Sequence, residues 1–145
     1  MRDRAVARLV RHGSPEYDAI VELRRRVLRL PLGLNFTAEE LAAEASQLHI
    51  GVFADGMVVA CAGLVPQGEK AKIRQVAVEP HHHGHGLGTF VMEWAETEAR
   101  QIGAREVVLH ARSDVVPFYE RLGYSVQGDE FTEIGIPHRQ MAKAL

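Results

Sequence analysis

The sequence holds a single cysteine, Cys61, in 145 residues, so no disulfide can close within the chain. Aromatic residues are scarce, at 6%, which leaves the core to aliphatic side chains. Neither sign of charge is in excess: 17 Lys and Arg stand against 19 Asp and Glu, a formal net charge of −2. That balance speaks against nucleic-acid binding through a basic surface. No apolar run approaches the ~20 residues of a membrane span. Met1-Arg2-Asp3-Arg4 is followed by no apolar stretch that would make it a secretory signal. A cytoplasmic protein without a membrane partner is expected.

What is present is ordinary for a globular chain. Apolar residues make up 46% and charged residues 25%, which excludes intrinsic disorder. The length fits one domain over residues 1–145. Cys61 lies in the apolar run from Met57 to Val65 and reads as a buried strand thiol. Arg24-Arg25-Arg26 with Arg29 reads as the solvated face of a helix, with contact to an anionic ligand as the other option. Four of the eight histidines fall in His81-His82-His83-Gly84-His85. No Cys or acidic pair stands at structural-site spacing beside them, so no metal site is expected.

Hydrophobic period and turn signals give the elements. Arg4 to Val10 reads as a strand. Ser14 caps a helix carrying Ile20, Leu23 and Val27, which stops before Pro31. Thr37 and Glu40 form a capping-box pattern for a second helix running to about Ser46. Leu48–Ala54 and Met57–Val65 flank Asp55-Gly56, a hairpin signal. Lys72–Val78 is a fourth strand. A helix from Gly86 to Ile102 buries Leu87, Phe90, Val91, Trp94, Ala95, Ala99 and Ile102. Glu106–Ala111 is a strand, and a helix from Ser113 or Asp114 to Leu122 follows. Strands Tyr124–Phe131 and Ile136–Met141 close the chain. This order predicts an α/β fold, a mixed sheet with helices on its faces.

The densest information lies between Val76 and Thr89, in the order strand, glycine-rich loop, helix start. Such a loop turns several backbone N–H groups toward one point, and the helix dipole adds positive potential there, which suits a phosphate. The segment lacks the Gly-Lys-Ser/Thr ending of a Walker A loop. It also has Thr89 where a Rossmann fingerprint needs glycine.

Its residues resemble the signature loop of the GNAT superfamily of N-acetyltransferases, Arg/Gln-x-x-Gly-x-Gly/Ala after a strand and a proline. His83, Gly86 and Gly88 occupy the three defining positions, preceded by Val76-Ala77-Val78 and Pro80. Phe118-Tyr119-Glu120-Arg121-Leu122-Gly123-Tyr124 resembles a second family stretch, Phe-Tyr-x-x-x-Gly-Phe. The tail Glu133-Ile134-Gly135-Ile136-Pro137-His138, with Met141, is similar to a small bacterial subgroup of uncharacterised acetyltransferases. His83 stands where the family has Arg or Gln, and His85 at another basic position. Any phosphate contact from them strengthens only as pH falls.

The resemblance implies a mostly antiparallel sheet splayed between its fourth and fifth strands, with acetyl-CoA as cosubstrate in the gap. It implies acetyl transfer to a primary amine of a small molecule or a peptide, and it leaves room for a homodimer. Coenzyme contacts fall on Val76, Ala77, Val78, His83, Gly84, His85, Gly86, Leu87, Gly88, Thr89, Phe118 and Tyr119. Tyr119 matches the family's frequent general acid. The general base is open among Glu133, His138 and, less favoured, His110. Arg24, Leu32 and Phe36 are expected to line the acceptor side. The competing readings are a non-catalytic acyl-CoA-binding sensor and a histidine-rich metal-handling protein.

Overall fold

The computed structural model describes residues 4–145. Seven strands form one sheet in the order β1-β2-β3-β4-β5-β7-β6. They are β1 (Val6–Val10), β2 (Leu48–Ala54), β3 (Met57–Gln67), β4 (Lys70–Val78), β5 (Glu106–Arg112), β6 (Ser125–Glu133) and β7 (Ile136–Ala144). All neighbours are antiparallel except β4 and β5. The parallel pair joins only Lys70–Ile73 to Glu106–Leu109. Beyond those residues the two strands part, and the sheet opens into a V, as expected. No helix among the described residues is long and apolar enough to cross a membrane.

Four helices cover the sheet: α1 (Pro15–Arg24), α2 (Ala38–Ala42), α3 (Leu87–Gln101) and α4 (Val116–Arg121). Helix α3 seals one face. Its Leu87, Val91, Met92, Ala95 and Ala99 pack with Ile50, Leu64, Ile73, Val107, Leu109 and Met141, each large side chain contributing about 1.5–3 kcal/mol by leaving water. Helix α1 covers the other face over β2–β4, where Tyr17, Ile20 and Leu23 meet Val10, Phe53, Cys61 and Ala77. Burial pushes the Cys61 thiol up to about 12, so it is the inert strand thiol that its setting suggested. Glu96 of α3 is also buried, held by the Tyr124 hydroxyl at 2.8 Å and Lys143 Nζ at 2.9 Å. Ile102, expected on the buried stripe, lies past the last turn of the helix and is 40% exposed.

Several boundaries differ from the expectations. The first strand starts at Val6, not Arg4. The helix expected to stop before Pro31 keeps α spacing only to Arg24, widens into a π turn over Arg25–Arg29, and tightens into a 3₁₀ turn over Leu30–Leu32. Proline has no N–H and its ring crowds the carbonyl four residues back, so the chain leaves α geometry as it nears Pro31. Thr37 and Glu40 make the full capping box, at 3.1 and 3.0 Å, yet α2 lasts one turn before a 3₁₀ segment over Ala43–Ser46. The helix expected from Ser113 begins as a 3₁₀ turn and becomes α only at Val116.

Candidate active site

The V between β4 and β5 forms a cleft of about 960 Å³. Along its β4 wall, Cys61 pairs with Ala77 but Gly63 pairs with Arg74. One extra residue therefore sits on β4, a bulge that leaves Gln75 and Val76 out of the register. Gln75 takes a φ of +56° there, a left-handed conformation uncommon for a residue with a side chain.

A buried cluster behind the bulge holds it in place. Glu44 accepts from both terminal nitrogens of Arg24, at 2.8 and 2.6 Å, from the Tyr17 hydroxyl at 2.7 Å and from Gln75 Nε2 at 3.2 Å. His49 Nε2 donates to the Glu44 carbonyl at 2.9 Å. Burial acts to raise the Glu44 carboxyl, but the hydrogen bonds from Arg24 and Tyr17 and the Arg24 charge outweigh it and hold the group below the usual carboxylate range. Arg24 is thus 3% exposed, neither on the expected solvated face nor among the residues lining the cleft. Its guanidinium and that of Arg29 stack on the Phe36 ring, at 4.5 and 4.2 Å. Leu32 and Phe36 also stay off the cleft wall, which is formed on this side by Val27, Leu28, Arg29 and Glu40.

The glycine loop closes the mouth. Gly84 and Gly86 have φ of +85° and +74°, and α3 starts at Leu87 with no side-chain cap. Its first N–H groups are therefore free for a ligand. A Cβ on Gly88 would come within 3.1 Å of the Phe118 ring, so the glycine there lets α3 and α4 approach across the cleft. Val76, Ala77, Val78, His83, Gly84, Gly86, Gly88, Thr89, Phe118 and Tyr119 all line it. His85 and Leu87 do not. The Leu87 side chain is 1% exposed in the core, leaving only its main chain for the loop. His83 Nε2 donates to the Val78 carbonyl at 3.2 Å, so that nitrogen braces the loop instead of facing a ligand. Among the described residues no three His, Cys, Asp or Glu side chains gather to hold a metal ion.

Tyr119 is 8% exposed, with its hydroxyl unbonded among the described residues. Burial pushes the phenol up to about 12. On the β5 side, Glu133 sits between two histidines. Its Oε1 is 2.9 Å from His110 Nδ1 and its Oε2 is 3.6 Å from His138 Nε2. Burial acts to raise Glu133, but the hydrogen bond from His110 and the nearby His110, His138 and Lys72 charges hold it low. A carboxylate only accepts, so His110 Nδ1 carries the proton and its Nε2 keeps a lone pair when the ring is neutral. His138 donates from Nδ1 to the Ile136 carbonyl at 3.0 Å, which fixes its ring. The structure thus brings Tyr119, Glu133 and His138 into one cleft and adds His110 as the ring that Glu133 orients. The Glu44 cluster was not foreseen from sequence. Its residues are spread over Tyr17, Arg24, Glu44, His49 and Gln75, and no local motif joins them.

The description Acetyltransferase (GNAT) domain matches residues 35–145. The chain is 38% identical over 73 residues to the uncharacterized N-acetyltransferase YjcF of Bacillus subtilis (strain 168), covering 50% of this chain and 52% of that one. Matches to three curated relatives from that organism span 52–66% of their lengths. Among solved structures, an acyl-CoA N-acyltransferase from Pseudomonas aeruginosa superposes with a TM-score of 0.83 at 22% identity, covering 97% of this chain and 99% of that one. A GNAT family acetyltransferase from Elizabethkingia anophelis with acetyl-CoA bound gives 0.76 at 16% identity, covering 99% of both chains. With the matched region taking in β2 to β7, the glycine loop and both walls of the cleft, the chain belongs to the GNAT acetyltransferase family.

Proposed function

We propose that this chain, as one domain over residues 1–145, is an acetyl-CoA-dependent N-acetyltransferase acting in the cytoplasm on a primary amine. The observation that carries the proposal is the placement of an oriented proton acceptor and a buried hydroxyl on the walls of a cleft whose mouth is a glycine loop. The loop amides and the α3 N-terminus suit a pyrophosphate, and the unpaired stretch at Gln75 and Val76 suits an amide-bearing arm lying along β4 like an added strand. The likeness to a neighbour solved with acetyl-CoA bound supports the same reading.

The chemistry assigns three roles. An acceptor amine is protonated at neutral pH, with an ordinary pKa near ~10.4, and must lose a proton to gain a lone pair. His110 Nε2 takes it, with Glu133 positioning the ring and stabilising the charge formed. The amine nitrogen then bonds to the thioester carbon and the C–S bond breaks. Tyr119 donates a hydrogen bond to the departing sulfur. Burial raises the phenol to about 12, above the ordinary thiol value of ~8.5, so the phenol keeps its proton. The second nitrogen proton, made acidic by the new C–N bond, neutralises the thiolate instead. All these groups belong to one chain, so the proposed path needs no second copy.

The test is calorimetric titration of acetyl-CoA into the protein and a Gly86→Glu variant, followed by a thiol-release assay with amines. One-site binding lost in the variant, with release of CoA thiol only when an amine is present, is expected. No binding by the folded wild-type protein overturns the cosubstrate. Binding without transfer to any amine favours an acyl-CoA sensor.

A further inference from the structure

Strand alternation divides the two walls of the V. Ala71 and Ile73 of β4, with Val107, Leu109 and Ala111 of β5, point under α3 into the core. Lys72 and Arg74, with His110 and Arg112, therefore project from the opposite face, and all four line the cleft. Five Lys and Arg residues line it against three acids, in a chain whose formal net charge is −2.

The charges on this wall are unequally paired. Arg112 Nη2 donates to the Leu28 carbonyl at 2.6 Å, and Arg29 lies 3.5 Å from Glu40. Glu133 is engaged by His110 and His138. Lys72 and Arg74 have no carboxylate within 4.0 Å among the described residues. They are also close enough to oppose each other: burial first, and then the Arg74 charge, hold the Lys72 ammonium below its usual range, with Glu133 only partly offsetting them. Two half-buried like charges that no carboxylate contacts, and that Glu133 offsets only in part, make a site that an anion relieves.

The coenzyme's phosphates do not reach it. On β3, Ala60 pairs with Val78, Gly63 with Arg74 and Val65 with Lys72, so at ~3.3 Å per residue Arg74 lies roughly 10 Å and Lys72 roughly 17 Å along the sheet from Val78, where the phosphate loop begins. The parallel register sets Lys72 opposite Val108 and Ile73 opposite Leu109, which puts Arg74 level with His110, where the strands part.

We propose that Lys72 and Arg74 form an oxyanion subsite for the acceptor, so that the substrate is a small amine carrying a carboxylate or phosphate a few bonds from its nitrogen. This rests on the acetyltransferase reading. The amine faces His110 Nε2 while the oxyanion lies between the two cations.

The test compares matched acceptors by thiol release: free amino acids against their amides, and O-phosphoethanolamine against ethanolamine. Anionic members are expected to show at least ~10-fold higher kcat/KM, and the two pairs separate carboxylate from phosphate. Arg74→Gln and Lys72→Met are each expected to shrink the anionic-to-neutral ratio ~10-fold, through KM more than kcat. Arg74→Lys keeps most of it. Equal or better use of the neutral members, or a ratio unchanged in both variants, overturns the proposal. Calorimetric titration of the same acceptors into the CoA-loaded protein separates the two readings. Saturable binding of the anionic members without turnover supports the subsite while the catalytic reading fails. No binding of any anionic member overturns the subsite.

Discussion

At the scale of single residues, the proposed chemistry turns on who touches the substrate and who acts through another group. His110 lines the cleft, and in the proposed path its Nε2 takes the proton while Glu133 acts through His110 Nδ1, 2.9 Å away. Groups in series are not additive. His110→Gln is therefore expected to lower kcat/KM about 10²–10³-fold, within the usual range for a general base. Glu133→Gln should lower it about 10-fold or more, and the double variant should be no worse than His110→Gln alone. Steady-state rates of the three variants decide it; additive losses would give Glu133 an independent role. Tyr119→Phe removes one hydrogen bond to the leaving sulfur and should lower kcat about 10²-fold with acetyl-CoA affinity unchanged within a few fold, since the ring stays packed on Phe118 and Tyr124, at 5.0 and 5.9 Å. Calorimetry and single-turnover rates on the same preparation separate the two effects.

At the scale of elements, the turns show how far sequence reasoning reaches. Asp55-Gly56 read as a two-residue hairpin and both residues have positive φ, +52° and +77°, because an aspartate followed by glycine tolerates that geometry. The turn between β6 and β7 uses the same geometry with Ile134 at +46° and Gly135 at +80°. A β-branched residue there is strained; the hairpin itself is expected from sequence, with Gly135 as its turn residue, but nothing in the sequence marks the isoleucine as left-handed. Ile134 lines the cleft beside Glu133, so strain has been kept where the wall is shaped. Ile134→Asn is expected to raise stability by about 1 kcal/mol, read from denaturation midpoints, and to lower kcat/KM through the loosened wall. A variant that is no more stable would show that burial of the isoleucine outweighs the backbone cost. The same logic explains what was legible elsewhere. Local signals gave the capping box, the glycine loop and the two signature stretches. The β4 bulge was hidden because its cause is not local: Gln75 is held out of register by Glu44, 31 residues away.

At the scale of the whole molecule, the splay was legible only through the family resemblance, since strand pairing at a distance leaves no mark in periodicity. The sheet stays open because α3 packs the α3-side core as one unit while α1 and the segment after α2 clamp the far side of β4 through Glu44. That clamp makes the cleft wall sensitive to acid. Burial holds the His49 imidazole below its ordinary value of 6.5, so the unfolded chain takes up that proton before the folded one, and stability falls as pH drops below about 6.5. Glu44 is also held lower in the folded state than the ordinary carboxyl value of 4.5. Its contribution is complete above that value and is lost as pH falls through the folded pKa. Stability should therefore decline in two stages, gently below about pH 6.5 and steeply below about pH 4.5. Glu44→Gln strands the buried Arg24 charge, so it should cost about 3–5 kcal/mol at pH 7 and flatten the lower stage, leaving only the part that Glu40, Glu79 and Glu133 contribute. Urea denaturation from pH 7 to pH 3.5 measures both. Should the variant keep the wild-type slope below pH 4.5, the acid sensitivity would belong to other carboxylates and the clamp would not be the group that fails first.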